Sequence, residues 1–324
     1  MRLAACVPPL PAELVACFEK CGIRTDADLL FSSPVIDIFR RLPSGTVSLH
    51  DLTKYVELVA ELASAPGVSG PDLLKQAQEK QDTGSKFPTG MLELDEIVDG
   101  FNGGRVYEIS GGRHSGKTGL ALHVVLRHLM QNPQSNILWM DTTGEFSVPR
   151  ATELLNSFDL ETPTTALERL QVSLVFDIDA AHELLDNLSS SFDVGKSRHQ
   201  IRCIVVDTIT PLLGPLLTAV SAQGHATMTS FMRRLKDLAQ KYMLAIFVIN
   251  NATISHLGNV RKPALGPSFA FMTDATIWLC RYEGSENDND ETGSVYVAEV
   301  LRSKTTRSGT RCSFKIDRGK LLPA

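Results

Sequence analysis

The sequence runs to 324 residues, 43% of them hydrophobic, with a formal net charge of −5. That length allows about two domains and a sizeable core. The mild negative charge excludes bulk attraction to nucleic acid, so any such surface must be local.

The N-terminus carries one cation, Arg2, and a short apolar run broken by Pro8, Pro9 and Pro11, a poor signal peptide. No apolar stretch reaches membrane-spanning length. Cys6, Cys17, Cys21, Cys203, Cys280 and Cys312 are scattered through a chain too large to need staples, and reduced thiols of an intracellular protein are expected. Cys17 and Cys21 lie one helical turn apart, without the further ligands that a zinc site needs.

Residues 1–63 read as a small all-α N-terminal interaction domain. Leu14, Val15 and Phe18 share a helical face ended by Gly22; further helices are expected over Asp26–Phe31 and after Ser33-Pro34. Leu52, Tyr55, Val56, Leu58, Val59 and Leu62 give the clearest helical stripe. Residues 64–86 read as a linker, Gly/Pro/Ser-rich at both ends around a polar helix over Asp72–Gln81; its apolar beads Val68, Leu73 and Leu74 offer a docking segment. From Phe87 to the end, short apolar runs alternate with helical segments. The runs fall at Val106–Ile109, Ile137–Met140, Leu170–Phe176, Ile201–Val206, Ala245–Ile249, Ala275–Leu279 and Ser294–Leu301. The alternation predicts an α/β domain over 87–324 with a mostly parallel sheet covered on both faces. From Ala275 onward the spacing is too tight for crossovers, so hairpins are expected, with the acidic 283–293 segment as an exposed tip.

Residues Gly111, Gly112, Arg113, His114, Ser115, Gly116, Lys117 and Thr118 satisfy G-x-x-x-x-G-K-[ST] at every fixed position. A β-favouring run enters this loop and an apolar helical run (Leu120, Val124, Leu126, Leu129) leaves it. Glycines let consecutive N–H groups curl toward phosphate oxygens, and the following helix adds its positive end. Lys117 is then expected on the β/γ-phosphates and the Thr118 hydroxyl on Mg²⁺. Ile201–Asp207 is an apolar strand ending in a carboxylate, which places Asp207 as the outer-sphere acid of that Mg²⁺. Asp141–Glu145 and Asn250-Asn251 also follow apolar strands, where water-activating or γ-phosphate-sensing groups sit, and Asn250-Asn251 reads also as plain turn chemistry.

Taken together these segments resemble the RecA/RadA-type recombinase family. The resemblance rests on the helical N-terminal domain and linker, Phe87-Pro-Thr-Gly90 with Leu94-Asp-Glu-Ile97, the phosphate loop and Met140–Gly144. The Asp207 strand, Ile249-Asn-Asn251 and Lys262-Pro-Ala-Leu-Gly266 complete it. Within the family, Gly67–Leu73 and Lys262–Phe269 look like the D-type branch of the eukaryotic recombinase paralogues.

The resemblance implies a RecA-like P-loop ATPase core that takes ATP and Mg²⁺ and acts in the nucleus in homologous recombination. It would be bound to sister paralogues and near single-stranded DNA, with no membrane role. It places Thr143 where active recombinases carry the glutamate that positions the attacking water, with Glu145 two residues on. It puts Asn251 at the γ-phosphate-sensing glutamine, one methylene shorter, and Arg150 at an arginine that stacks on adenine. Both departures point to ATP binding with slow hydrolysis, since losing a positioned acid/base group lowers rate by ~10²–10⁴. The family's two DNA-facing loops fall at about 214–226, which has no Lys or Arg, and 252–262, which offers His256, Arg261 and Lys262. Arg302, Lys304, Arg307, Arg311, Lys315, Arg318 and Lys320 add a basic C-terminal segment. Two other expectations compete: a self-assembling, DNA-dependent ATPase, and a small-molecule kinase built on the same loop.

Overall fold

The computed structural model describes residues 3–6, 8–64, 67, 69–83, 86–158, 163–193, 200–217, 222–254, 261–282 and 294–324. The chain divides into two compact units, Met1–Gln76 and Ala77–Ala324.

In the first unit, helices Ala12–Lys20, Asp26–Phe31, Val35–Arg41 and Leu49–Ala63 form an all-α bundle. The apolar positions at helical spacing meet in one core of Leu14, Phe18, Leu29, Ile38, Leu52 and Val59. Local chemistry sets the boundaries. Thr25 Oγ1 accepts from the Asp28 N–H at 3.1 Å while Asp28 Oδ2 accepts from the Thr25 N–H at 2.9 Å, a reciprocal cap for the second helix. Ser48 caps the fourth helix through the Asp51 N–H. A further helix, Gly70–Thr83, carries exposed Leu73 and Leu74.

The second unit holds eleven strands among the described residues: β1 Arg105–Gly111, β2 Ser135–Asp141, β3 Leu170–Leu174, β4 Gln200–Asp207, β5 Ala245–Asn250, β6 Ala252–Ile254, β7 Arg261–Pro263, β8 Ala275–Arg281, β9 Ser294–Ser303, β10 Arg311–Asp317 and β11 Lys320–Pro323. Nine form one sheet in the order β11-β10-β9-β8-β1-β5-β4-β2-β3, and β6 and β7 form a separate antiparallel ribbon. From β8 to β3 every pairing is parallel. From β8 to β11 every pairing is antiparallel, as the tight spacing after Ala275 requires. The expected 283–293 tip lies outside the described residues. β10 and β11, which the basic residues disguise in the sequence, extend the sheet by two strands.

Helices cover both faces. Lys117–Gln131 and Val148–Ser157 pack on Tyr107, Ile109, Trp139 and Phe247. Ile178–Asp193 and Ala222–Tyr242 pack on Val106, Leu138, Val206 and Val248 on the other face. Adjacent residues of β1 therefore point into opposite cores, the mark of a strand buried on both sides.

Two histidines fasten helix Lys117–Gln131. The Leu321 N–H donates to His123 Nδ1 at 3.2 Å, leaving Nε2–H to donate to Thr89 O at 3.0 Å. His128 Nδ1 reaches Lys86 O at 3.2 Å and its Nε2 reaches Ser135 Oγ at 3.2 Å. Burial lowers both pKa values to about 4, with Arg127 repelling His123 and Arg202 and Arg169 repelling His128. The unfolded chain titrates these imidazoles near pH 6.5, so between 6.5 and 4 it binds more protons than the folded one. Stability is expected to be intact above pH 6.5 and to fall by about 2–3 kcal/mol per histidine as the pH drops to 4. Chemical denaturation of the wild type and a His123→Gln/His128→Gln double variant at pH 7.5 and 5 checks this. An unchanged slope of stability against pH in the double variant would refute it.

Candidate nucleotide site

β1 delivers the chain to the loop at Gly111, and helix Lys117–Gln131 carries it away. Gly111 has no room for a side chain: a Cβ there would stand 2.3 Å from Leu279 O and 2.4 Å from Ser115 Oγ. Gly116 has φ +87°, and a Cβ on it would lie 2.8 Å from Ile316 Cδ1. Only glycine fits both positions, and the loop closes into a tight curl as a result. Within it the Ser115 hydroxyl is buried with no hydrogen-bond partner.

Lys117 is 8% exposed, and its ammonium donates to Gly111 O at 3.1 Å and Gly112 O at 2.7 Å. Burial pulls its pKa below the ordinary lysine value, against the attraction of Asp207. Thr118 Oγ1 donates to Asp207 Oδ1 at 3.3 Å, so the hydroxyl and carboxylate expected at a metal stand side by side. Burial raises the Asp207 pKa to about 6; the Thr118 hydrogen bond opposes this, and the negative charges of Asp141 and Glu145 add to it. A carboxyl so reluctant to ionise is suited to a divalent cation, which would supply the missing positive charge.

β2 and β4 end in register, with Asp141 opposite Asp207. Asp141 Oδ1 accepts from the N–H groups of Thr143 at 3.0 Å and Gly144 at 2.8 Å, and Oδ2 from Phe146 N–H at 2.9 Å. Burial alone would raise its pKa, but these amides outweigh it and hold the carboxyl below the usual range. Asp141 thus shapes the turn. Thr143 Oγ1 donates to Asp141 Oδ1 at 3.2 Å, and Glu145 is exposed. Thr142 Oγ1 accepts from the Thr208 N–H and donates to Thr208 O, and the Thr142 N–H donates to Asp207 O at 3.0 Å, so Thr142 meets both polar groups of the cis Asp207–Thr208 peptide.

Arg150 lies in the first turn of helix Val148–Ser157, its Nη2 3.2 Å from where a Cβ on Gly119 would sit, over the start of the loop's helix. Asn251 is exposed; its N–H donates to Thr210 Oγ1 at 3.1 Å and its carbonyl accepts from Ala264 N–H at 2.8 Å. Arg261 and Lys262 fall in β7, paired with Ile254 and Thr253, and Lys262 is exposed. His256 lies outside the described residues, as does 218–221 of the first loop, which is flanked by a 3₁₀ turn at Gly214–Leu216 and helix Ala222–Tyr242. The basic C-terminal segment is largely engaged within the chain. Arg302 donates to Ala270 O and Thr273 O, Lys304 to Asp274, Arg311 to Glu299, and Lys320 to Ser157 O.

Sequence reasoning overlooked Glu108, which is fully buried three residues before Gly111. Asn250 Nδ2 donates to its Oε1 at 2.7 Å and Thr276 Oγ1 to its Oε2 at 2.8 Å. Burial raises its pKa against those two hydrogen bonds. Its signal was a single carboxylate inside an otherwise apolar strand entering the loop.

The sheet order and the loop at the carboxyl end of β1 define a RecA-like phosphate-loop fold. The structure of the RadB recombinase shares it, with a TM-score of 0.58 and 22% identity over 74% of this chain and 99% of that one. A family profile described as Rad51 matches residues 82–291. The chain is also 30% identical to the bovine (Bos taurus) protein named DNA repair protein RAD51 homolog 4, over 99% of this chain and 95% of that one. A Dictyostelium discoideum protein named probable DNA repair protein RAD51 homolog 4 is 25% identical over 88% of each. The chain belongs to the Rad51 family.

Proposed function

We propose that this chain is an ATP- and Mg²⁺-binding recombinase paralogue of homologous recombination. It works as one subunit of a hetero-oligomer of sister paralogues in the nucleus, and that assembly assists recombinase filament formation on single-stranded DNA. The observation that carries this reading is a loop fitted to hold phosphates beside a site fitted poorly to split them. Gly111, Gly116, Lys117, Thr118 and Asp207 converge, whereas the position for a water-orienting carboxylate is Thr143, turned onto Asp141. The unpartnered Ser115 hydroxyl and the tight curl that only glycines at 111 and 116 permit suit a loop that holds phosphate oxygens. The DNA-repair names of its relatives support the biological setting. Arg150 would stack on the base and Asn251 would face the γ-phosphate side. Arg261 and Lys262 on the ribbon would meet DNA phosphates. The N-terminal bundle, residues 64–86 and the faces of the second unit would carry the sister subunits.

A second reading is favoured by Glu145, close enough to Asp207 to raise its pKa. If this carboxylate swings onto the attacking water, the chain is a working DNA-dependent ATPase. Single-turnover hydrolysis with and without single-stranded DNA separates the two. Slow turnover, unaltered by Glu145→Gln, is expected. DNA-stimulated turnover that drops by ~10²-fold or more in that variant would establish the second reading instead.

A further inference from the structure

Two cations packed near helix Lys117–Gln131 find acceptors within the chain. Arg169 donates to Leu129 O at 2.7 Å, Asn132 O at 2.9 Å and Ser135 O at 3.1 Å, and Lys320 donates to Ser157 O at 2.9 Å. Arg127, on the helix itself, is different. It is half-buried, and its Nε is sealed from water without a hydrogen-bond partner. A dry, unbonded donor on a charged group is costly and calls for a reason. Gly90, with φ +84°, fixes where the side chain lies. A Cβ there would stand 2.5 Å from Arg127 Cζ and 2.8 Å from both Nε and Nη1, so the guanidinium rests its face on a bare Cα. The turn beneath is held in turn. The N–H groups of Thr89 and Gly90 donate to the Asp95 carboxylate at 2.6 and 3.2 Å, and Thr89 O accepts from His123. Among the described residues no carboxylate bridges Arg127.

We propose that Arg127 and the neighbouring Leu92 form a docking site for a carboxylate side chain of a sister subunit. This rests on the hetero-oligomer reading above and names a surface for it. The first argument is charge. The guanidinium is immobilised with no acid of its own, and a carboxylate placed end-on to its outer nitrogens neutralises it without reaching Nε. Lys320 donates only to a neutral carbonyl, and both cations add positive potential at His123, so the local field favours an anion. The second is the neighbour. Leu92, two residues past Gly90, is 76% exposed, and an arginine beside an open apolar side chain is a common centre of protein interfaces. The third decides between anions. Glu93 and Glu96, exposed on the same short helix as Leu92, repel a chain of phosphates far more than they repel one carboxylate. A cation kept in place at a cost to the isolated chain is explained by what it meets in the assembly.

The test compares thermal unfolding of the full chain with its affinity for purified Rad51-family sister subunits. Arg127→Met keeps an unbranched stem over Gly90 and removes the charge. The isolated variant should melt at an unchanged or higher temperature, because an unsatisfied donor has gone. Its affinity for the sister subunit should fall about tenfold or more. Leu92→Asp, at a position too exposed to disturb folding, sets a competing carboxylate beside Arg127 and should weaken association as much. Affinity for ATP should stay within about twofold in both variants, as for a distant site. Arg127→Glu should be the most damaging to association, and reversing one acid of the sister subunit to lysine should restore it. Wild-type association in Arg127→Glu and Leu92→Asp overturns the docking site and leaves the hetero-oligomer standing. A lower melting temperature in Arg127→Met, with Leu92→Asp indifferent, makes Arg127 a structural cap on Gly90 and also overturns it. Losses confined to single-stranded DNA or to self-association give the site to another occupant and overturn the assignment. A wild type that joins no sister subunit overturns the hetero-oligomer reading, and the docking site falls with it, so the failures are told apart.

Discussion

Lys117→Ala is expected to lower affinity for ATP by about two to three orders of magnitude, the loss of one buried, charge-assisted contact to phosphate. Fold stability should change by no more than about 1 kcal/mol, because two effects oppose each other. The ammonium is desolvated at 8% exposure and its pKa is pulled down, so removing it relieves a buried charge. Its hydrogen bonds to Gly111 O and Gly112 O are lost at the same time. Lys117→Arg should fare little better. A planar guanidinium is too broad for a site where a single nitrogen lies 2.7 Å from one carbonyl and 3.1 Å from another. Calorimetric titration with ATP and Mg²⁺, with thermal unfolding as the control, reads both quantities. Wild-type affinity in a folded alanine variant would remove Lys117 from the phosphate site. Partner capture that depends on ATP should weaken in step.

The parts legible in the sequence are those whose physics is local. The curl of Gly111–Thr118 needs residue types at fixed spacing, and the strand before it and helix after it have their own periodicities. The carboxyl-end position of Asp207 follows from an apolar run and one acid. The four N-terminal helices announce themselves by caps and apolar stripes, down to the boundaries Asp26–Phe31. What stayed hidden depends on residues far apart in the chain. Glu108 meets Thr276 across 168 positions and Asn250 across 142, and no local pattern pairs them. β10 and β11 were masked for another reason. Arg311, Lys315, Arg318 and Lys320 made the segment read as a charged surface, yet Cys312, Phe314 and Leu321 alternate with those charges and enter the core. A period of two was present there, diluted by cations whose partners, such as Glu299 and Ser157 O, lie elsewhere in the chain. Those partners also explain why a run of positive charge in the sequence becomes a smaller free positive surface in the fold.

Gly111→Ala is expected to be strongly destabilising. The new Cβ would meet Leu279 O at 2.3 Å and Ser115 Oγ at 2.4 Å. The serine can rotate away, but the carbonyl cannot. Gly111 and Leu279 are register partners in the parallel β1–β8 pairing, so moving that oxygen means parting two central strands. Overpacking against backbone of this kind destabilises by about 3 kcal/mol, which lowers the melting temperature by roughly 6–12 °C for a unit of this size. Strand displacement would also move the carbonyls that receive Lys117, so ATP binding should fail in whatever fraction stays folded. Gly214→Ala is the matched control. Its Cβ would meet only Thr210 Cγ2, at an ordinary 3.8 Å, and its φ of −55° suits alanine. A change within about 1 kcal/mol, of either sign, is expected there. Thermal unfolding of both variants beside the wild type decides the matter. Equal melting temperatures for Gly111→Ala and the control would mean that the loop and β8 are not packed as tightly as their 2.3 Å clearance demands.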